Sequence, residues 1–235
     1  MSVFKFKKFD IEQQGCAQKV GTDSMVLGAF AEYKDPERIL DIGTGNGVIA
    51  LMMAQKFRNA EITGVEIQKE CAELAHYNFD NSRFKDRVCV LNADVNNCVF
   101  TKKFDLIISN PPFFENATES SRIERTTARH QTTLNLFQLM YFAKNNLNVQ
   151  GAIWLIVPQE STKKLMDYSN ESGLVLTKRI KVLGKPTHHK RDILVFVKTN
   201  IVSSCTSRSF VIRDSEGNYT EEYKTKTIDF HHSRL

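Results

Sequence analysis

Four consecutive residues, Asn110, Pro111, Pro112 and Phe113, close the apolar run Phe104-Asp105-Leu106-Ile107-Ile108-Ser109. A run of that composition reads as a buried strand, and two prolines stop it. Proline lacks the backbone donor and fixes φ, so the sheet ladder cannot continue past Ser109. What remains is a rigid shelf carrying one amide side chain, backbone carbonyls and an aromatic ring. Such a shelf suits a flat group with an exocyclic NH2. The Asn110 side-chain oxygen and the Pro111 carbonyl would accept its two N–H bonds while Phe113 stacks on its plane. The plain alternative is a Pro-Pro strand terminator with a capping Asn, and four residues alone do not choose between the two.

A second set lies upstream. Asp41-Ile42-Gly43-Thr44-Gly45-Asn46-Gly47 follows a short strand at 39–42. Its glycines allow a tight turn, admit a ligand close to the backbone and aim the next helix's N–H groups at it. As a dinucleotide fingerprint it is imperfect, because G-x-G-x-x-G needs glycine at Val48. Glu66 ends the second strand, at the distance where an acid grips ribose hydroxyls, and Asp94 follows the third. Each acid by itself is compatible with a helix cap. Three signals at consecutive strand ends describe a cleft for a nucleoside-type cofactor.

The elements that must position these residues alternate regularly from Arg38 onward. Strands are expected at 39–42, 61–65, 88–91, 104–109, 152–157, 174–183 and 193–197. Helices are expected at 48–57, 71–79, 134–147 and 161–171. Strands alternating with helices imply βαβ units in a doubly wound, mostly parallel sheet, with ligands at its carboxyl edge. No repeat, low-complexity stretch or linker divides the chain. One domain is expected: an N-terminal extension over 1–33, a Rossmann-like core over 38–200, and a C-terminal strand and tail over 201–235. In the extension, Phe4, Phe6 and Phe9 suggest a strand edge or a clasp on the core. Thr22 and Asp23 read most simply as caps of the short apolar helix that follows them.

The 235 residues are 41% hydrophobic and 25% charged, which suits a globular domain with a sizeable core. The net charge of +5 is compatible with a polyanionic partner without requiring one. Five scattered cysteines with no C-x-x-C pair favour a reducing compartment and argue against a disulfide frame or a zinc site. No stretch has signal-peptide or membrane-span character, so a cytoplasmic location and no membrane partner are expected.

D-x-G-x-G-x-G, an acid ending the second strand, Asp after the third and N-P-P-F after the fourth resemble the class I S-adenosylmethionine-dependent methyltransferases. The resemblance implies seven strands, the last antiparallel, and S-adenosyl-L-methionine as cofactor. It further implies that Gly43, Thr44, Gly45 and Gly47 pass the methionine moiety, with Asp41 near its ammonium. Glu66 would hold the ribose and Asp94 the adenine amine, and Thr22 and Asn110 would border the cofactor. N-P-P-[FY] in this family marks methylation of a planar nitrogen: adenine N6, guanine N2 or a glutamine amide. Such a nitrogen is a poor nucleophile, since its lone pair is delocalised. Acceptors on its two hydrogens favour the tetrahedral form and stabilise the developing positive charge.

Outside the core, Gly15-Cys16-Ala17-Gln18-Lys19-Val20-Gly21-Thr22-Asp23, Ala128-Arg129-His130, Val211-Ile212-Arg213 and Asn218-Tyr219-Thr220-Glu221-Glu222-Tyr223 resemble one subfamily. It is the bacterial tRNA(Val) (adenine-N6)-methyltransferases, which modify the adenine 3′ of the anticodon. Phe113 stands where tyrosine is common there, a change that stacking tolerates. The resemblance implies tRNA as substrate, and a monomer is expected. Guanine-N2 rRNA methylation and glutamine-N5 protein methylation are the alternative enzyme readings, and an RNA-binding assembly factor with a vestigial cleft is the non-enzymatic one. Between Lys163 and Lys198 nine Lys/Arg stand against three acids. The segment 184–191, with Lys185, Lys190 and Arg191, reads as an exposed basic loop between strands. With Arg129 and His130 after the shelf, it suits phosphate contacts. His188-His189 lacks partners at ligand spacing, so no metal is expected.

Overall fold

A computed structural model describes residues 3–16, 19–111, 135–199 and 204–231. An eight-stranded sheet runs through it, built from β3 (Arg38–Ile42), β4 (Glu61–Glu66), β5 (Val88–Asn92), β6 (Phe104–Ser109), β7 (Leu147–Pro158), β8 (Val175–Leu183), β9 (His189–Val197) and β10 (Thr206–Val211). The order is β10-β8-β9-β7-β6-β3-β4-β5. Strands β7, β6, β3, β4 and β5 are mutually parallel, and β9 runs antiparallel between β7 and β8. The expected seven strands are present, with the seventh antiparallel. The strand candidate near residue 210 adds an eighth, β10, parallel to β8.

Alternation along the strands explains why both faces are covered. Ile39, Ile62, Leu106, Ile108, Trp154, Ile156, Ile193 and Val195 point into one buried cluster with α1 (Thr22–Phe30), α2 (Val48–Lys56) and part of α3 (Lys69–Asp80). Their neighbours Leu40, Ile42, Ile107, Ile153, Leu155, Leu194 and Phe196 point into another. There they meet Leu139, Met140 and Ala143 of α4 (Leu136–Asn146) and Leu165 of α5 (Thr162–Ser172). Asn135 starts α4 with a capping box, its side chain accepting from Gln138 N–H while Gln138 accepts from Asn135 N–H.

The N-terminal extension is a clasp. β1 (Val3–Lys5) and β2 (Asp10–Glu12) form a hairpin, and Phe6 and Phe9 stack and are buried on the core. Lys7 N–H donates to the Phe230 carbonyl, so the two ends of the described chain meet. The segment is also covalently tied down, because Cys16 bridges to Cys71 in the first turn of α3. This overturns the expectation of no disulfide: the partners lie 55 residues apart, a spacing with no motif. The basic loop is shorter than expected. His189, Lys190 and Arg191 belong to β9, and the exposed turn spans 184–188. Among the described residues no helix is long and apolar enough to cross a membrane, and no three His, Cys, Asp or Glu side chains are grouped to hold a metal.

Candidate active site

The sheet order reverses between β3 and β6, and there the carboxyl ends of neighbouring strands diverge into opposite crossovers. Register brings the sequence motifs to one edge. Ile42 lies opposite Val65 on one side and Ser109 on the other, and Glu66 lies opposite Asn92. The Gly43 and Thr44 N–H groups both donate to the Val65 carbonyl, at 2.9 and 3.1 Å, and the Ser109 hydroxyl donates to the Ile42 carbonyl at 2.7 Å. The Gly-rich loop, Glu66 and Asn110 are thereby held at adjacent strand ends.

The loop's shape demands its glycines. Gly43, Gly45 and Gly47 all have positive φ, and a Cβ on Gly47 would lie 2.4 Å from the Phe79 ring. Gly47 lets the start of α2 sit directly on the Phe79 ring of α3. Gly43 faces open space instead, with nothing within 4 Å of its Cβ position. Glu66 closes the loop from β4: Oε2 accepts from Gly45 N–H and Oε1 from Gln68 N–H, each at 2.9 Å. Asn78 on α3 joins the clasp to the loop, its amide donating to the carbonyls of Glu12 and Asn46.

Two buried oxygens at this edge have no partner among the described residues. Asp41 is fully buried; its Oδ2 accepts from the Thr44 hydroxyl at 2.7 Å, while Oδ1 is unpaired. Burial raises its pKa to about 7, against the opposing pull of the Thr44 hydroxyl and the Ala50 backbone; the charge on Glu66 adds to the rise. Asn110 is 6% exposed, and its Oδ1 is likewise unpaired while its NH2 donates to the Ser24 hydroxyl at 3.3 Å. Buried polar atoms are rarely left unsatisfied in proteins, so these two are acceptors a ligand would complete. The cation of S-adenosylmethionine would suit Asp41 Oδ1, and the amine hydrogens of a planar substrate nitrogen would suit Asn110 Oδ1.

The remaining predicted residues are placed as follows. Asp94 follows β5 and caps the 3-10 turn at 95–97, Oδ1 accepting from Asn96 N–H; the cap reading of this acid is what the geometry shows. Thr22 opens α1 with its side chain exposed, and the helix is preceded by Gly21 with no side-chain cap, so neither Thr22 nor Asp23 caps it. Asp23 pairs with Arg191 instead. Lys185 and Lys190 are exposed. Pro111 is buried beside Asn110; Pro112, Phe113, Arg129 and His130 lie outside the described residues. His189 turns to the fully buried Asp192, which also accepts from Arg179 and Thr162.

The sequence reading missed Ser24. Its partner Asn110 lies 86 residues away, and no spacing rule links them. The nearest signal is the adjoining Lys19–Asp23 stretch, which the sequence offers as a subfamily resemblance, as caps and, at Thr22, as a border of the cofactor.

Comparison with known proteins agrees with this geometry. Residues 16–175 match the methyltransferase small domain family. A tRNA1(Val) (adenine(37)-N6)-methyltransferase of Actinobacillus pleuropneumoniae is 40% identical over 230 residues, covering 97% of this chain and 96% of its own. A protein of the same name from Porphyromonas gingivalis is 38% identical over 97% of this chain and 94% of its own. Among solved structures, a predicted O-methyltransferase from Agrobacterium tumefaciens superposes with a TM-score of 0.71 at 19% identity, covering 91% of this chain and 98% of that one. A methyltransferase from Pyrococcus furiosus gives 0.61 at 24% identity, over 81% and 89%. Both share the fold. By sequence over almost its whole length, this chain belongs to the tRNA1(Val) (adenine(37)-N6)-methyltransferase family.

Proposed function

We propose that the protein methylates the exocyclic N6 of an adenine in tRNA, the one 3′ of the anticodon of tRNA(Val), using S-adenosyl-L-methionine. The observation that carries this reading is the buried Asn110 Oδ1 at the end of β6, unpaired among the described residues and beside the Gly-rich loop. The names of relatives at 34–40% identity supply the substrate.

When bound, the cofactor supplies an electrophilic methyl group on a sulfonium. The chain's own residues do the rest. The Gly43–Gly47 loop borders the methionine end, and Asp41 Oδ1 offers an anionic oxygen to its ammonium. Glu66 keeps one lone-pair direction on each carboxylate oxygen after binding the Gly45 and Gln68 N–H groups, and those directions receive the ribose hydroxyls. Asn110 Oδ1 and the Pro111 carbonyl accept the two N6 hydrogens, which turns the nitrogen lone pair out of the ring plane and stabilises the charge that grows on it. Holding the base in one orientation against the cofactor would lower the barrier further by positioning. The surplus proton leaves to solvent after transfer, so no strong base is needed.

The test is nucleoside mapping of tRNA from cells with and without the protein. N6-methyladenine at the position 3′ of the tRNA(Val) anticodon is expected only with it. Loss of a methylguanine from rRNA, or of a methylglutamine from protein, in its place would transfer the reading to one of the rival substrates.

A further inference from the structure

We infer that Ser24 is the positioning residue for Asn110, a part of the site that rests on the acceptor reading above. An Asn side chain is nearly symmetric in shape but opposite in chemistry at its two ends. The reaction needs the carbonyl end toward the amine. With the amide reversed, its NH2 would face the donors of the target nitrogen and the acceptor would be lost. Ser24 holds the amide in the productive sense: its hydroxyl oxygen accepts from Asn110 Nδ2 at 3.3 Å, leaving Oδ1 as the end unpaired among the described residues. Both residues are buried, at 4% and 6% exposure, so water does not compete for the contact.

A positioning residue must itself be held, and α1 is gripped along its length. At its first turn Asp23 Oδ2 accepts from Arg191 Nε at 3.0 Å. At its last turn Lys56 of α2 donates to the Ala29 carbonyl at 2.9 Å and to the Ala31 carbonyl. Between them Gly28 lets α1 sit on Met52, where a Cβ would come within 2.6 Å of the sulfur. Behind it Phe30 meets Phe210 of β10 edge-on, with ring centroids 4.7 Å apart, and Phe210 stacks near Tyr223 of the C-terminal helix α6 (Glu221–Thr227). The clamp on α1 thus includes the C-terminal Asn218–Tyr223 region, where Tyr219 and Tyr223 stack at 4.6 Å. The extensions outside the core buttress the helix that aims the amide.

The test is a double-mutant cycle on the full-length protein with an unmodified tRNA(Val) transcript, read as single-turnover methylation rate. Alanine is a better helix former than serine, so Ser24→Ala should leave α1 intact, which thermal melting checks. Ser24→Ala is expected to slow methylation about tenfold, the reach of one lost hydrogen bond. Asn110→Ala is expected to slow it about 100- to 1000-fold. The double variant should match Asn110→Ala within about twofold, because Ser24 acts only through that amide. Cofactor affinity by calorimetry should stay within about threefold of wild type throughout, since the loss is in the transition state. Ser24→Thr, which keeps an acceptor, should recover most of the rate lost in Ser24→Ala. An unchanged rate in Ser24→Ala overturns the inference, and so does an equal loss in the wild-type and Asn110→Ala backgrounds, the mark of a merely structural role. An unchanged rate in Asn110→Ala is a separate result: it removes the acceptor reading itself, and this inference with it.

Discussion

Arg191 Nε donates to Asp23 Oδ2 at 3.0 Å, joining β9 to the first turn of α1 across 168 residues of chain. Both side chains are about three-quarters buried, at 26% and 30% exposure. The pair divides the basic segment after β8 into two kinds of residue. Lys185 and Lys190 face solvent, whereas Arg191 serves the helix behind the site.

Replacing Lys185 and Lys190 together by alanine should weaken tRNA binding and flatten its salt dependence by about 1.4 to 1.8 log units per log unit of salt, if both meet phosphates. Arg191→Ala should leave that slope unchanged and lower stability by at most about 1 kcal/mol, since a partly exposed ion pair contributes little. Binding of one tRNA across a salt series, beside thermal melts, reads both. A slope change in Arg191→Ala equal to one lysine's share would place that side chain on the RNA.

Asp41 makes cofactor binding depend on pH. Its carboxyl holds a proton up to about 7 in the folded chain, because burial disfavours the charge. A cation beside Oδ1 favours the charged form, so binding releases that proton whenever the pH lies below the pKa. Affinity should therefore rise with pH from about 5 to about 7, by up to tenfold per unit, and level off above. Asp41→Asn should flatten the profile. The same shift acts on stability with its own sign. The folded pKa lies above the unfolded one, so the stabilisation is complete below the unfolded value of 3.8 and is lost as the pH rises through about 7. Calorimetry over this range, with melts of the cofactor-free protein, checks both halves. A flat affinity profile in the wild type would remove Asp41 from the ammonium.

Glu66→Gln should damage the protein twice. Each carboxylate oxygen already accepts a backbone N–H, from Gly45 and from Gln68, so an amide NH2 must face one of those donors. Stability should fall by about 1–3 kcal/mol, the cost of a buried donor left unpaired. Cofactor affinity should fall tens-fold or more, since hydrogen bonds to a charged acceptor contribute about 1.5–3 kcal/mol each. Glu66→Asp keeps the acceptors and should lose less stability than Glu66→Gln. A Glu66→Gln protein with wild-type affinity would rule out ribose binding by this carboxylate.

The Cys16–Cys71 bridge makes a countable prediction. Denatured without reductant, the chain should present three thiols, Cys89, Cys98 and Cys205, and five after reduction. Cys71→Ser should lower the melting temperature of the oxidised protein only, because the bridge acts by restricting the unfolded chain. Five thiols before reduction would show the pair unbridged in solution.

What the sequence determined by itself is the sheet and the row of chemistry on its edge. Strand and helix periods are local, and each of Asp41, Glu66 and Asn110 sits at the end of a strand that its own neighbours specify. Parallel strands of matched length then bring those ends together, and register alone sets Ile42 beside Ser109. Asp94 shows the limit of that logic. Its position was legible, but only the folded turn shows it capping 95–97. The segment at 184–191 shows another, because its charges do not reveal that three residues pair into β9 or that Arg191 reaches α1. Tertiary structure decided the contacts between side chains far apart in the chain: Ser24 with Asn110, Asp23 with Arg191, Cys16 with Cys71. Such pairs have no period and no fixed spacing. They exist because helix α1, the clasp and the C-terminal helix pack onto the same face of the sheet. That packing brings Ser24 to the amide of Asn110, whose oxygen stays unpaired among the described residues.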